Sequence, residues 1–291
     1  MKVKKLTDAQ QLALCNRFNL EAKNSLLEQA QNGWICSKAQ KLLYIHPDGR
    51  EILTLQAQNG SLSSYVQLHL FDWFERVDIL MMQAKRGELH KKVQKRIFEL
   101  RNAAEFLLAQ AQQGKLSSEV QMMVLDLPEA DEILLAQAKN GYIRHWESKL
   151  LSLPNVSEIF LAQAAKGTLR FGGEMMAFEL PNAEEILLEH SKHCWLSSEV
   201  QMKAFELSCA PEIMLAQAKQ GALYDTTQIK SFELPNAEEV LTAQGTKYCL
   251  CNEIQVRALS FTRARDILHN QLRIGVLCRE AQKKAVALGL I

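Results

Sequence analysis

The feature that most constrains this chain is an octapeptide that occurs twice. The sequence FELPNAEE occupies residues 178–185 and again residues 232–239, 54 residues further on. Half of that distance is the spacing of a glycine that returns about every 27 residues. Its ten slots are filled, in order, by Gly33, Gly60, Gly87, Gly114, Gly141, Gly167, Cys194, Gly221, Tyr248 and Gly275. Self-similarity at a fixed period of this length indicates a repeat architecture.

Each repeat has room for two short helices, which we call helix A and helix B. In the copy PNAEEILLEHSKHC, helix A carries the apolar pair Ile186 and Leu187 and ends at the glycine slot. Glycine ends a helix well because it adopts the left-handed conformation without a Cβ penalty. Helix B, in the copy SSEVQMKAFEL, has apolar residues three and four apart, which is helical spacing. We therefore predict a right-handed, all-α solenoid of about ten two-helix repeats of 27 residues, with an N-terminal half-repeat as a cap.

The domain organisation follows from this pattern. In a solenoid each repeat packs on its neighbours, so the length of the chain does not require two separate cores. We predict a single domain over residues 1–291. Residues 1–20 form an N-terminal capping helix, residues 21–262 form the regular repeats and residues 263–291 form a C-terminal capping repeat.

Polar residues at the starts of the helices suggest capping boxes. We expect Asn182 to cap helix A with Glu185 as its partner, and Ser198 to cap helix B with Gln201 as its partner. In the N-terminal half-repeat, Asp8 takes the cap position. Gln11 stands there in the slot that holds glutamine in most copies of helix B.

A second glutamine recurs late in helix A, where capping does not explain it. One interpretation is a buried amide ladder that ties each repeat to the next, because a buried amide must be hydrogen-bonded. The other is a row of amides facing a ligand groove. The members of this helix-A ladder are Gln29, Gln56, Gln83, Gln110, Gln137, Gln163, Gln217, Gln244 and Gln271, with His190 in repeat seven.

A basic residue recurs in the middle of helix B. This basic stripe is either an anion-binding surface for a phosphate backbone or an acidic protein, or a solvated face. Glu99, Glu206 and Glu233 stand three residues after stripe members and are expected to pair with them. The stripe consists of His69, Arg96, Lys149, Lys203, Lys230, Arg257 and Lys284.

Composition narrows the class of protein. The formal net charge is +1, which argues against a strong general attraction to nucleic acid or membrane, and no apolar run is long enough for a membrane span. Seven cysteines without a secretory signal favour the cytoplasm. No catalytic motif is visible. The donors in HSKHC and CLC lie two repeats apart, too far for one metal ion, so we predict no enzyme activity, no cofactor and no metal site.

The residue after each glycine varies freely between copies and is the best candidate for partner contact. It is a large aromatic residue at Trp34, Tyr142 and Trp195. Repeats five to seven are irregular: one residue is deleted, two glycines follow Phe171, and Cys194 replaces a glycine. We expect this region to border the partner contact or a change of curvature. The candidate partner-binding residues are Trp34, Tyr142, Arg144, His145, Arg170, Phe171 and Trp195.

The paired-helix repeat resembles the α-solenoid superfamily of HEAT, armadillo and tetratricopeptide proteins, and the resemblance covers almost the whole chain. The 27-residue period looks closest to short HEAT-like repeats. The likeness is architectural, so it implies no functional residues. Our leading hypothesis is a non-enzymatic scaffold that presents an extended surface to a protein or peptide. The alternative is a nucleic-acid-binding solenoid that uses the basic stripe.

Overall fold

A computed structural model describes residues 4–71, 77–144 and 148–291. In these residues the chain forms twenty α-helices and three short 3-10 helices, and no strand. The predicted all-α helical-repeat solenoid is confirmed. None of the described helices combines the length and the apolar character that crossing a membrane requires. The chain divides into two compact units, Met1–Asn155 and Val156–Ile291, which we describe in turn.

Unit 1 contains the half-repeat and repeats one to five. In repeat five, the position of helix B holds a 3-10 helix at Ser148–Ser152. Elsewhere helices B and A alternate along the chain. The helices are α1 (Asp8–Arg17), α2 (Leu20–Gln31), α3 (Ser37–Ile45), α4 (Gly49–Asn59), α5 (Ser64–Leu70), α6 (Val77–Lys85), α7 (Lys91–Arg96), α8 (Ala103–Ala111), α9 (Ser118–Val124) and α10 (Ala130–Asn140).

Unit 2 contains repeats six to ten and begins with a helix A. Every repeat in it has both α-helices. They are α11 (Val156–Ala164), α12 (Phe171–Ala177), α13 (Ala183–His193), α14 (Ser198–Ala204), α15 (Ala210–Gln220), α16 (Asp225–Ser231), α17 (Ala237–Gly245), α18 (Asn252–Arg257), α19 (Ala264–Arg273) and α20 (Arg279–Ala287).

Helices of the same kind pack side by side within each unit. In unit 2, for example, α13 packs against α15 and α15 packs against α17, while α14 packs against α16. The apolar pair of helix A is fully buried between the two layers, as at Ile186 and Leu187. Because a two-helix repeat cannot bury this pair alone, each repeat depends on its neighbours for a core.

The recurring glycine has two conformations. Six slots have the expected left-handed backbone, with φ of +66° at Gly114 and +75° at Gly275 as examples. Gly60 and Gly141 instead have negative φ, at −153° and −140°, and Gly60 is extended. Close approach explains glycine there: a Cβ on Gly60 would lie 2.7 Å from the Cα of Gly33 in the preceding repeat. Real Cβ atoms do not come so near to another backbone, so a side chain would force the loops apart.

The predicted capping boxes do not form as predicted. Asn182 occupies the N-cap position of helix A as expected, but its side chain makes no capping hydrogen bond. Helix B is capped one residue earlier than expected, by Ser197, whose hydroxyl accepts from the N–H of Val200. At the N-terminus the cap is Thr7, and a complete box forms with Gln10. The one-residue offset frees Gln201 and Gln11 for another role.

Candidate functional site

The helix-A glutamines form the expected amide ladder. Gln56 is representative: its Oε1 accepts from the N–H of Ile35 at 3.0 Å, and its Nε2 donates to the carbonyl of Gly33 at 3.1 Å. Both partners belong to the loop of the preceding repeat. These glutamines are buried. The interpretation as a ladder that ties each repeat to the next is confirmed, because buried amides without such partners would be costly.

The glutamines of helix B form a second ladder of hydrogen bonds, whereas the sequence had suggested that they cap the helix. The Nε2 of Gln40 donates to the carbonyl of Ile35 in its own loop and to that of Ser61 in the next loop, at 2.8 and 3.2 Å. Its Oε1 accepts from the N–H of Ser63 at 2.6 Å. We call these glutamines the helix-B ladder, and each member forms at least two of these three bonds. The members are Gln11, Gln40, Gln67, Gln94, Gln121, Gln201, Gln228 and Gln255.

Both ladders contact the loops between helix A and helix B through backbone atoms. In seven loops the carbonyl of the residue after the glycine accepts from the helix-B ladder, as Tyr142 does from Gln121 at 2.9 Å. In these seven loops the side chain at that position takes no part in the bonds; after Gly167, by contrast, the hydroxyl of Thr168 donates to Gln163 Oε1 at 2.8 Å. The loops are therefore held in place while their side chains can change from repeat to repeat. We call this row of loops the loop edge.

Most of the predicted partner-binding residues are exposed. Tyr142 and Arg144 lie on the loop edge of unit 1, and the side chain of Tyr142 is 57% exposed. Trp34 is only half-buried, and the amino group of Lys5 lies 6.0 Å from its ring centroid. His145 lies outside the described residues.

The other predicted residues lie in unit 2. Arg170 and Phe171 are exposed at the start of α12, where the side chain of Phe171 is 50% exposed. Trp195 is 63% exposed and lines a groove at the loop edge of repeats seven to nine. We call it the loop-edge groove.

The loop-edge groove has a volume of about 570 Å³. Trp195 and the exposed ring of Tyr224 contribute aromatic surface, and Asp225 contributes a carboxylate. Gln244 and Cys249 come from the following repeat. Only Trp195 of this set was predicted from the sequence. The signal that could have identified the rest is Tyr248, a bulky residue in a glycine slot.

Tyr248 explains why a groove opens here. At two places in unit 1 neighbouring loops touch backbone to backbone: a Cβ on Gly33 would lie 3.0 Å from the Cα of Gly60, and one on Gly114 would lie 2.6 Å from the nitrogen of Gly141. At the corresponding place in unit 2, a Cβ on Gly221 would meet the ring of Tyr248 instead. The ring thus takes the place of a loop backbone against Gly221. Because a phenol ring is far larger than a glycine, the two loops cannot come as close together.

Both glutamine ladders are weakened at this point. In other repeats the backbone N–H that lies 21 residues before a helix-A glutamine donates to its Oε1, so the N–H of Leu223 should donate to Gln244. The Oε1 of Gln244 is instead buried and accepts no hydrogen bond. The bond from Tyr224 N–H to Gln201 Oε1 is stretched to 3.5 Å, whereas its equivalents measure 2.6–3.0 Å. Amide hydrogen bonds usually lie between about 2.7 and 3.2 Å, so this one is weak. The Nε2 of Gln244 keeps a single bond, to the carbonyl of Cys249 at 3.3 Å.

Repeats six and seven contain another departure. The helix-B glutamine is replaced by Glu174 and the helix-A glutamine by His190, and Glu174 Oε1 lies 3.1 Å from His190 Nε2. Both side chains are buried, and His190 Nδ1 has no hydrogen-bond partner. Cys194 is close by: burial, and then the negative charge of Glu174, raise the pKa of its thiol.

The residues of the basic stripe contact other side chains of the same chain. Four of its cations lie over a phenylalanine ring of the preceding repeat, at 3.8–5.0 Å from the ring centroid. Such contacts are attractive because the face of an aromatic ring carries negative charge. The pairs are Arg96 with Phe71, Lys203 with Phe178, Lys230 with Phe205, and Arg257 with Phe232.

The other stripe members also have partners. Lys149 pairs with Asp126 at 2.6 Å, and Lys284 pairs with Glu280 at 2.7 Å. The ring of His69 stacks on Tyr65 with the centroids 4.0 Å apart. Of the three expected pairs with acids three residues on, Arg96–Glu99 forms, at 3.5 Å. In the described residues, Glu206 and Glu233 form no ion pair with the stripe.

No three metal-binding side chains come together in the part of the chain that the structure describes. No protein-family model matches the sequence, and neither the curated proteins nor the solved structures contain a significant match.

Proposed function

We propose that this chain is a non-enzymatic binding protein that recognises another protein or a peptide at its loop edge. The observation that carries the proposal is that the loop backbone and the loop side chains have separate roles. Two ladders of buried glutamines hold the loop backbone, as Gln121 and Gln137 hold the carbonyl of Tyr142. The side chains at the edge are then free to be selected for contact with a partner.

The exposed side chains support this assignment. Tyr142, Phe171 and Trp195 are each at least half exposed. Aromatic residues on a rigid frame are the class most enriched among residues that dominate protein interfaces. A soluble fold gains little from such rings in water, so their exposure favours a binding role. The proposal involves no catalytic residue, no cofactor and no membrane, and it places the protein in the cytoplasm, in keeping with seven free thiols.

The alternative, a nucleic-acid-binding solenoid, has less support. A phosphate-binding stripe needs cations free to replace counterions. Here Lys203 and Lys230 lie over rings, and Lys149 is paired with a carboxylate. These internal contacts favour the interpretation of the stripe as a device that joins neighbouring repeats.

Affinity capture from an extract of the source cells tests the proposal. The bait is the full chain, compared with the double variant Tyr142→Ala/Trp195→Ala. The matched control is Val286→Ala, which removes another exposed apolar side chain, at the end of α20 that lies farthest from its loop. We expect one or more proteins to bind the wild type and Val286→Ala but not the double variant. Equal capture by all three baits would contradict the proposal.

Binding of random duplex DNA at two salt concentrations tests the alternative. We expect no measurable binding at low salt. Affinity that falls steeply with salt, and that is lost when Lys203 and Lys230 are changed to glutamine, would favour the nucleic-acid interpretation instead.

A further inference from the structure

Of the groups that line the loop-edge groove, the charged side chain and the buried unpartnered side-chain atom are both hydrogen-bond acceptors. Asp225 forms no hydrogen bond or ion pair with any described residue, and no lysine or arginine lines the groove. Gln244 is 2% exposed, its Nε2 is used by Cys249, and its Oε1 is unpartnered. The amide of Gln228 is occupied at both ends, by the carbonyl of Leu223 and the N–H of Cys251. A ligand that supplies donors and positive charge would satisfy both of these groups.

The aromatic walls of the groove also favour a cationic ligand. Trp195 and Tyr224 present exposed aromatic rings at the groove, at 63% and 47% exposure. Aromatic faces attract cations, and tryptophan does so most strongly. Lysine and arginine side chains are donors without acceptor capacity, so they match the carboxylate of Asp225 and the Oε1 of Gln244. Its volume of about 570 Å³ lies in the usual range for ligand sites, roughly 300–1,000 Å³.

We infer that the loop-edge groove binds a lysine or arginine side chain of the partner. The cation lies between the rings of Trp195 and Tyr224, Asp225 provides the counter-charge, and Gln244 Oε1 at the base accepts a hydrogen bond. This inference rests on the proposed function and specifies the chemistry that the partner must offer. The groove exists because Tyr248 interrupts the backbone contact against Gly221. The same interruption leaves Gln244 without the loop N–H that its equivalents bind.

The test is a titration of the isotope-labelled full chain, followed by two-dimensional NMR. The cationic probes are the N-acetyl methylamides of lysine and arginine, and the neutral probes are those of norleucine and citrulline, which match them in length. We expect the cationic probes to shift the indole resonance of Trp195 and the amides of Tyr224 and Gln244. The neutral probes should bind at least about fivefold more weakly, because they lack the charge.

Three variants locate the site. Asp225→Asn should weaken binding of the cationic probes about fivefold to tenfold. Asp266→Asn removes an exposed carboxylate of unit 2 that is paired with Arg263, outside the groove, and should leave binding unchanged. Tyr248→Gly should let the loops close and abolish binding, while the amide spectrum shows that the chain remains folded. Shifts elsewhere, no shifts, or equal binding of neutral probes would overturn the inference.

The outcomes separate this inference from the proposed function. If a protein is captured through the loop edge but the cationic probes do not bind the groove, the inference is wrong and the proposed function stands. If the probes bind the groove but capture does not depend on the loop edge, the groove is a cation site and the proposed function is wrong.

Discussion

The Nε2 of His190 lies 3.1 Å from the Oε1 of Glu174, in a place where other repeats pair two glutamines. The replacement of the recurring glycine by Cys194 accompanies this replacement of the two glutamines. Cys194 has the extended backbone of Gly60, and a Cβ on Gly60 would lie 2.6 Å from the Nε2 of Gln56. Histidine in the ladder turns toward Glu174, which leaves space for the side chain of Cys194.

Restoring glutamine at position 190 should therefore destabilise the chain. The Nε2 of the new glutamine would meet the Cβ of Cys194, so we expect His190→Gln to cost about 1–3 kcal/mol in the free energy of unfolding. Cys194→Gly should rescue it. Urea unfolding of the two single variants and the double variant measures the coupling, which should exceed about 1 kcal/mol. Additive effects would show that the two positions are independent.

The ladder glutamines should stabilise the fold and not bind the partner. Gln137 accepts from the N–H of Leu116 at 3.0 Å and donates to Tyr142 at 3.1 Å. Gln137→Leu leaves that N–H unpaired and should lower stability by about 1–3 kcal/mol. Partner capture by the folded variant should remain unchanged. The matched control is Gln244→Leu, which removes a side chain with a single bond and an unpartnered oxygen and should cost less. Equal losses would contradict the assignment of Gln244 as a weakened position.

The glycine slots should differ in their tolerance of a side chain. Gly114 has a φ of +66°, and a Cβ there would lie 2.6 Å from the backbone nitrogen of Gly141. Gly275 has a φ of +75°, but no atom lies within 4 Å of its Cβ position. Gly275→Ala should cost only the left-handed strain, about 1 kcal/mol. Gly114→Ala should cost about 1–3 kcal/mol more, because loops must also move apart.

Gly114→Val adds a β-branched side chain and should be at least as destabilising as Gly114→Ala. Thermal unfolding followed by circular dichroism compares the three variants. A melting curve for Gly114→Val equal to that of the wild type would refute the role assigned to this slot.

Two carboxylates that accept hydrogen bonds from the next repeat predict how stability responds to acid. The hydroxyl of Ser208 donates to Glu184 and that of Thr262 donates to Glu238, and backbone N–H groups of the same residues add to both. These bonds lower the pKa of each carboxyl below its usual range. A lowered pKa means that the stabilisation is complete above the ordinary glutamate pKa of about 4.3 and is lost as the pH falls through the lowered value.

We therefore expect the double variant Glu184→Gln/Glu238→Gln to be less stable than the wild type at pH 7, with the difference shrinking below about pH 4. Urea midpoints measured from pH 7 to pH 3 test this expectation. A difference that stays constant or grows in acid would show that these carboxyl groups do not act through their charge.

The repeats could be predicted from the sequence because every repeat needs the same two helices, with the same buried face and the same ends. The apolar pair at Ile186 and Leu187 indicates the buried face of helix A, and the periodic glycine indicates where that helix ends. The helix-A ladder was also predictable, since a buried amide must find a partner wherever it lies. Capping was predicted less well: the offset between Ser197 and Ser198 depends on the backbone torsion of one residue, which residue type alone does not specify.

The groove was decided by tertiary structure alone. Sequence singled out Trp195 because it varies, but it gave no reason to join Trp195 with Asp225 and Gln244, which lie in later repeats. That association depends on how far two loops stand apart, and this distance is set by the ring of Tyr248 against Gly221. A local pattern reports what each repeat needs for its own helices. The space between repeats depends on the packing of side chains that are distant in the chain, so only the folded structure could determine it.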